Sequence, residues 1–280
     1  MKSVLVIGAG AMGSGIAQVV AQAGYQVFLS DMNEQFIQAG IAKIDKGLGR
    51  LVMKGSMAED VKVQVMGRIH GTADIKEAAG AFLVIEAIVE DMETKKRLFK
   101  EIAELLPSET ILASNTSALS ITELAAHSGR PEEFIGMHFF NPVPVMNLVE
   151  LIKGMQTSER TFSAAKEFVE SLGKTCVSVN EAPGFVVNRM LVPLINEAIF
   201  ILSEGIASAE DIDQAMKLGA NHPIGPLALA DLVGLDVCLA VMETLYEGFG
   251  DPKYRPCPLL RKMVKAGHLG RKTGRGFFVY

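Results

Sequence analysis

At 280 residues the chain is long for one domain and sufficient for two. Its formal net charge of -5 argues against a protein whose whole surface binds nucleic acid or an anionic membrane. The three cysteines, Cys176, Cys238 and Cys257, are far apart and lack metal-ligand spacing, so they predict neither a disulfide framework nor a metal site. No apolar run reaches the length of a membrane span, and the N-terminal run is too short for a signal peptide. We therefore expect a cytoplasmic protein.

The N-terminus has the pattern of a dinucleotide-binding βαβ unit. Residues 4–7 read as a buried strand, and the motif Gly-Ala-Gly-Ala-Met-Gly follows at residues 8–13 and opens a helix. Glycines allow a tight turn and a close approach of the backbone to a pyrophosphate, while the helix N-terminus supplies amide donors. The residues expected to bind the dinucleotide here are Gly8, Gly10, Ala11, Met12 and Gly13.

The second predicted strand, residues 26–30, ends in an acidic residue, Asp31. It lies about eighteen residues beyond the last motif glycine, where this fold places a carboxylate on the adenine ribose. Asp31 would repel a 2′-phosphate, and no arginine occurs among the next three residues. The sequence therefore predicts NAD rather than NADP as the cofactor.

A long helix is predicted from the N-cap Asn33 to about residue 54, with cations on one face. These cations recur every three or four residues: Lys43, Lys46, Arg50 and Lys54. Such a stripe is ordinarily a solvated face. The alternative is a docking surface for a phosphate-rich substrate. A further short helix is predicted to begin at Ser56.

Polar residues follow the next two predicted strands, residues 81–87 and 110–113. Glu90 and Lys95 lie just past the first of these strands, where ligands bind in open parallel sheets. The second is followed by Ser-Asn-Thr-Ser at residues 114–117. This run either caps the helix that begins near residue 121 or binds a polar ligand.

Residues 136–151 are predicted to place a histidine opposite a glutamate. Two strand-like segments flank a Pro-x-Pro corner, and reflection about Pro144 places His138 opposite Glu150 in an antiparallel pair. A carboxylate on one ring nitrogen fixes the tautomer and leaves the other nitrogen to exchange a proton with a substrate. The alternative is a hydrogen-bonded histidine at a strand end, without a catalytic role.

The strand pattern stops near Pro-Gly-Phe at residues 183–185. The sequence predicts a Rossmann-type, doubly wound, mainly parallel sheet in an NAD-binding domain of residues 1–182, and an all-helical domain of residues 183–280. The apolar helix over residues 186–202 is expected to be buried between elements or subunits. Ser208 is predicted to cap a later helix. The glycine- and cation-rich segment 270–277 is either a basic tail or a flap over an anionic ligand.

Taken together, these motifs resemble the short-chain L-3-hydroxyacyl-CoA dehydrogenase family and, within it, the bacterial 3-hydroxybutyryl-CoA dehydrogenases. The likeness spans essentially the whole chain. It comprises the glycine motif with Asp31, the run at 114–117, Gly-Met-His-Phe-Phe-Asn-Pro at 136–142, Pro-Gly-Phe with Asn188, and the Gly-Arg-Lys-Thr-Gly-x-Gly-Phe terminus. Several distant motifs in the right order are more specific than any one of them.

The resemblance implies an oxidoreductase of fatty acid or butanoate metabolism. It would transfer a hydride between NAD(H) and C3 of a 3-hydroxyacyl-CoA/3-oxoacyl-CoA pair, such as 3-hydroxybutyryl-CoA and acetoacetyl-CoA. His138 would be the general base and Glu150 its orienting partner, with Ser117 and Asn188 hydrogen-bonded to the substrate around its reacting oxygen. The further cofactor-binding residues implied are Glu90, Lys95, Asn115, Ser117, His138 and Lys272.

The resemblance also implies a CoA site and a homodimer. Lys54, with Arg50 in the same stripe, would contact the CoA moiety. Two turns before Lys54, where the family has a second polar contact to CoA, this chain has Gly47. The C-terminal helical domain would form the dimer interface.

Three alternatives remain open from the sequence. One is the same chemistry on another 3-hydroxyacyl-CoA or on a free 3-hydroxy acid. Another is a non-catalytic NAD-binding or structural protein on the same scaffold, which would be expected to lose its acid/base pair. The third is the Rossmann dehydrogenase and imine reductase group with lysine at the reacting centre, where this chain has Asn188.

Overall fold

The computed structural model describes residues 2–280, which divide into two compact units. The first unit ends at Glu181, and the second covers Ala182–Tyr280. Each unit has an apolar core of its own. None of the described helices is both long enough and apolar enough to cross a membrane.

The first unit is built on one eight-stranded sheet with the order β3-β2-β1-β4-β5-β6-β7-β8. Its strands are β1 Ser3–Ile7, β2 Gln26–Ser30, β3 Ile69–Thr72, β4 Leu83–Glu86, β5 Ile111–Ser114, β6 Phe134–Phe139, β7 Leu148–Lys153 and β8 Thr175–Asn180. Strands β1 to β6 all run parallel to one another. Strand β7 is antiparallel to β6, and β8 is parallel to β7. The predicted Rossmann-type, mainly parallel sheet is confirmed.

Every residue of the central strands β4, β5 and β6 is buried. This is the pattern of a parallel sheet covered on both faces. The helices of this unit are α1 Ala11–Gln22, α2 Glu34–Met53, α3 Glu59–Met66, α4 Met92–Leu105, α5 Ile121–Ser128 and α6 Glu159–Ser171. Because β1, β2, β4, β5 and β6 run in one direction, the loops after them gather at a single edge, where ligands bind in such sheets.

Two local elements differ from the sequence expectation. Helix α3 begins at Glu59 rather than at Ser56, because the amide of Ser56 donates to the carbonyl of Leu51 and completes the C-terminus of α2. Strand β3 is not among the predicted strands. It is short and contains Gly71. A Cβ at this position would lie 2.6 Å from the side chain of Ile37 in α2, so a larger residue would clash there.

The second unit consists of helices, as predicted from residue 183 onward. They are α7 Val187–Ser203, α8 Ala209–Gly219, α9 Pro226–Val233, α10 Leu235–Phe249 and α11 Pro258–Lys265. Ser208 caps α8 by accepting from the amide of Asp211, which confirms that cap.

The C-terminal segment folds back within the second unit. The carboxylate of Asp231 is buried and accepts hydrogen bonds from the amides of Phe277 and Phe278 at 2.9 Å each. Lys272 donates to both carboxylate oxygens of Asp236 at 2.6 and 2.7 Å. The segment is therefore anchored and is not a free basic tail.

Candidate active site

The three motif glycines at residues 8–13 are required for different reasons. Gly8 has a φ of +103°, and a Cβ there would lie 2.5 Å from the carbonyl oxygen of Ala87. A Cβ on Gly13 would lie 1.7 Å from the carbonyl oxygen of Gly8. A Cβ on Gly10, by contrast, would meet nothing within 4 Å. Packing thus demands Gly8 and Gly13, whereas Gly10 leaves open space in front of the N-terminus of α1.

Asp31, at the end of β2, points at this glycine loop. Its Oδ2 accepts from the amide of Ala9 at 2.6 Å, and its Oδ1 accepts from the amide of Met32 at 2.7 Å. The carboxylate therefore lies beside the loop, as required for a residue that binds a ribose hydroxyl next to a pyrophosphate.

A cavity of about 820 Å³ lies at this edge of the sheet. The glycine loop and Asp31 line it together with three exposed apolar side chains, Met32, Phe36 and Val89. Lys43 of α2 and Arg97 of α4 also line it. A few polar groups within apolar walls are typical of a site for a flat, partly polar ligand such as a nucleoside.

Glu86 and Lys95 form a buried ion pair next to this cavity. Glu86 is 0% exposed and Lys95 is 1% exposed. Lys95 Nζ lies 2.5 Å from Glu86 Oε1 and 3.4 Å from Glu90 Oε2. Lys95, expected at the cofactor, is thus shielded from solvent, and Glu90 is the exposed end of this group of charges.

Glu90 joins this ion pair to the run at residues 114–117. Its Oε1 accepts from the hydroxyl of Thr116 at 2.6 Å and from the amide of Ser117 at 2.8 Å. The hydroxyl of Ser117 also donates to this oxygen, at 3.2 Å. The structure thus brings Glu90, Lys95 and Ser117 together.

His138 and Glu150 face each other across β6 and β7. The strand register pairs the two residues, which is the pairing that reflection about Pro144 predicts. Nδ1 of His138 lies 2.8 Å from Oε2 of Glu150. The histidine is 6% exposed and the glutamate 1% exposed. A carboxylate buried at this distance holds the hydrogen on Nδ1 and fixes the orientation of the ring.

Two further contacts fix the strands that carry the pair. Asn115, expected at the cofactor, accepts from the amide of Phe139 at 2.9 Å and so holds the backbone beside His138. Lys174 donates to the carbonyls of Val143 and Met146, at 2.8 and 2.7 Å, in the turn between β6 and β7. Burial lowers the pKa of this lysine.

The other expected site residues lie elsewhere. Arg50 and Lys54 are exposed near the C-terminal end of α2. At Gly47 a Cβ would lie 3.1 Å from the amide oxygen of Gln18 in α1. Asn188 stands in the first turn of α7 and, with Lys272, belongs to the second unit.

Glu86 is not among the site residues expected from the sequence, and Ser114 and Thr116 are expected only as members of the polar run at residues 114–117. All three hydrogen-bond to or within this network. A signal was present for Glu86, since a carboxylate at the end of an otherwise apolar strand requires a partner. The partner itself was not evident from the pattern.

Comparison with known proteins agrees with this geometry. Residues 3–182 match the model of the 3-hydroxyacyl-CoA dehydrogenase NAD binding domain, and residues 184–280 match that of the 3-hydroxyacyl-CoA dehydrogenase C-terminal domain. The chain belongs to the 3-hydroxyacyl-CoA dehydrogenase family.

Its relatives include proteins named 3-hydroxybutyryl-CoA dehydrogenase. The one from Clostridioides difficile is 53% identical over 98% of each chain. That from Bradyrhizobium diazoefficiens is 52% identical over 100% of this chain and 96% of its own. The crystal structure of (S)-3-hydroxybutyryl-CoA dehydrogenase from Ralstonia eutropha has a TM-score of 0.98 and 51% identity, covering 100% of this chain and 99% of that one.

The cofactor of this family member is NAD, and the described residues fit it. The open space at Gly10 and the amides of α1 suit a pyrophosphate, and Asp31 suits the adenosine ribose. The apolar side chains around Met32 and Val89 suit the adenine ring.

Replacing Gly10 with alanine tests this assignment. The added methyl group enters open space, so Gly10→Ala should keep the melting temperature within a few degrees while weakening NADH binding at least tenfold by occupying the pyrophosphate position. Fluorescence titration with NADH and a thermal melt measure the two effects.

Gly80→Ala is the matched control, because a Cβ there also meets nothing within 4 Å and Gly80 does not line the cavity. Equal NADH affinity in both variants would remove Gly10 from the cofactor site.

Proposed function

We propose that this chain is an NAD-dependent dehydrogenase that interconverts 3-hydroxybutyryl-CoA and acetoacetyl-CoA. The observation that carries the proposal is the buried hydrogen bond of 2.8 Å between His138 and Glu150 at the ligand-binding edge of a dinucleotide fold. The names of relatives more than half identical over nearly their full length support the same substrate pair.

His138 acts as the acid/base residue in this proposal. When bound, NAD supplies the nicotinamide ring, which is the acceptor of the hydride that leaves C3 of the hydroxyacyl group. His138 takes the proton of the 3-hydroxyl through Nε2, because Glu150 engages Nδ1. In the reverse direction the imidazolium returns that proton to the developing alkoxide. Glu150 stabilises the imidazolium and fixes the ring orientation.

Ser117 and Asn188 bind the substrate around its reacting oxygen in this proposal. Ser117 offers a hydroxyl and follows β5, the strand next to the one that carries His138. Asn188 offers a side-chain amide from the first turn of α7, and its role rests on the family likeness. Both groups can donate a hydrogen bond to an oxygen that gains negative charge.

The CoA moiety binds at Lys54 and Arg50 in this proposal. Both cations are exposed, and they lie one turn apart at the end of α2. Exposed cations with this spacing suit the phosphates of CoA. Gly47 cannot supply the second polar contact of the family, and a side chain there would press on Gln18.

We further propose that the enzyme is a cytoplasmic homodimer formed through the second unit. That unit exposes several apolar side chains, which is unfavourable unless another surface covers them. The exposed residues include Met190, Leu232, Val233 and Val237.

The reaction itself is tested by reduction of acetoacetyl-CoA. We expect rapid oxidation of NADH, little oxidation of NADPH because of the carboxylate of Asp31, and little reduction of free acetoacetate because it lacks the CoA handle. Spectrophotometry of the nicotinamide measures all three. A protein that binds NADH and reduces only the free acid, or only longer acyl-CoA substrates, would shift the proposal to that substrate. No turnover at all would favour a non-catalytic NAD-binding protein.

The acid/base roles are tested by His138→Gln and Glu150→Gln. Each should lower kcat by about 10²- to 10⁴-fold, since the proton transfer loses its catalyst or its orientation, while NADH affinity changes little. Steady-state kinetics and NADH titration measure this. His127→Gln, at an exposed position on α5, is the control and should keep wild-type turnover. Wild-type kcat in both active-site variants would contradict the mechanism.

The dimer is tested by sedimentation velocity. The wild-type protein should sediment as a dimer of the 30.1 kDa chain, and Met190→Asp should shift it toward monomer because a charge enters the apolar interface. Met155→Asp, at an exposed methionine of the first unit, should leave the dimer intact. A wild-type monomer would contradict the assembly.

A further inference from the structure

Glu86 is a fully buried carboxylate that neither the expected mechanism nor the expected cofactor contacts use. A buried carboxylate is costly unless it is paired and hydrogen-bonded. Here Oε1 accepts from Lys95 Nζ at 2.5 Å and from the amide of Ile88 at 2.7 Å. Oε2 accepts from the hydroxyl of Ser114 at 2.6 Å. The carboxylate is thus bound on both oxygens.

The three partners of Glu86 belong to three segments of the candidate active site. Ile88 lies in the loop after β4 and lines the cavity beside the glycine motif. Lys95 lies on α4, and its Nζ is 3.4 Å from Oε2 of Glu90, which precedes that helix. Ser114 begins the polar run, and its Oγ accepts from the amide of Thr116 at 3.2 Å. One carboxylate therefore ties together two loops and a helix.

The charge of Lys95 is divided unequally between two glutamates. Its Nζ is 2.5 Å from Glu86 and 3.4 Å from Glu90. Glu90 turns Oε2 toward Lys95 at this longer distance and keeps Oε1 on Thr116 and Ser117. Without the charge on Glu86, the buried ammonium would attract Glu90 more strongly and draw it away from Ser117.

We propose that Glu86 is a positioning residue for NAD binding, acting through Lys95 on Glu90 and Ser117. This inference rests on the proposed function, since it assigns these residues to the same site. Glu86 itself is 0% exposed and does not line the cavity. Its negative charge neutralises Lys95 and thereby sets the position of Glu90. Glu90 is the carboxylate of this group that reaches the surface.

A pair of variants at Glu86 separates positioning from mere stability. Glu86→Gln keeps the shape but leaves Lys95 without its main counter-charge, and it should raise the Kd for NADH about tenfold, or ~1.4 kcal/mol. Glu86→Asp keeps a negative charge beside Lys95, so its Kd should stay within about threefold of the wild-type value. NADH fluorescence titration and thermal melts measure the effects.

Asp213→Asn is the control. Asp213 is a buried carboxylate of the second unit that accepts from the amides of Leu227 and Ala228 at 2.8 and 2.9 Å. Its loss of charge should lower the melting temperature with NADH affinity unchanged. If Glu86→Gln behaves in the same way, Glu86 has only a structural role and the proposal is wrong.

The conservative variant decides the remaining point. If Glu86→Asp binds NADH no better than Glu86→Gln does, the charge of Glu86 does not set NADH affinity and its positioning role is refuted. Should Glu86→Gln fail to fold, Ser114→Ala removes the hydrogen bond to Oε2, together with the one from the amide of Thr116, and should raise the Kd about threefold, whereas an unchanged Kd would overturn the proposal. NADH binding is measured without acyl substrate, so failure to reduce acetoacetyl-CoA would leave this test intact.

Discussion

Two carboxylates buried in the sheet, Glu86 and Glu150, impose the arrangement on which the candidate site depends. Each is at most 1% exposed, so neither can remain charged without a partner close by. Glu86 contacts Lys95 and the segments after β4 and β5, while Glu150 contacts His138 across the antiparallel β6–β7 pair. Burial thus fixes the positions of the polar groups that these two carboxylates contact.

The two pairs differ in what their burial achieves. At His138 the partner is an imidazole, and the fixed carboxylate on Nδ1 orients its ring. At Glu86 the partner is the ammonium group of Lys95, and the pair holds neighbouring groups in place. Asn115 connects the two regions, since its side chain holds the backbone at Phe139 and its own amide donates to the carbonyl of Glu86 at 2.8 Å. The His138–Glu150 pair and the buried Glu86–Lys95 pair are therefore parts of one hydrogen-bonded edge.

Membership of the 3-hydroxyacyl-CoA dehydrogenase family explains why these features occur together, but the structure adds properties of this chain. Lys43 and Arg97 bring two cations to the cavity that Asp31 also lines. The preference for NAD was argued from the three residues after Asp31, yet side chains distant in sequence also contribute to the charge of that cavity. Gln18 likewise lies beside Gly47, the position at which this chain departs from the family's pattern of polar contacts to CoA.

Features that depend on near neighbours along the chain could be predicted from the residues alone. The glycine motif, the caps Asn33 and Ser208 and the opposition of His138 and Glu150 follow from spacing, because turns, caps and an antiparallel fold-back obey local geometry. Which distant segments meet became evident from the folded chain. The pairing of Glu86 with Lys95 and Ser114, the edge strand β3 and the place of Lys43 at the cavity depend on how strands and helices pack. Residue spacing along one chain carries no record of that packing, because it arises from burial shared among segments far apart in sequence.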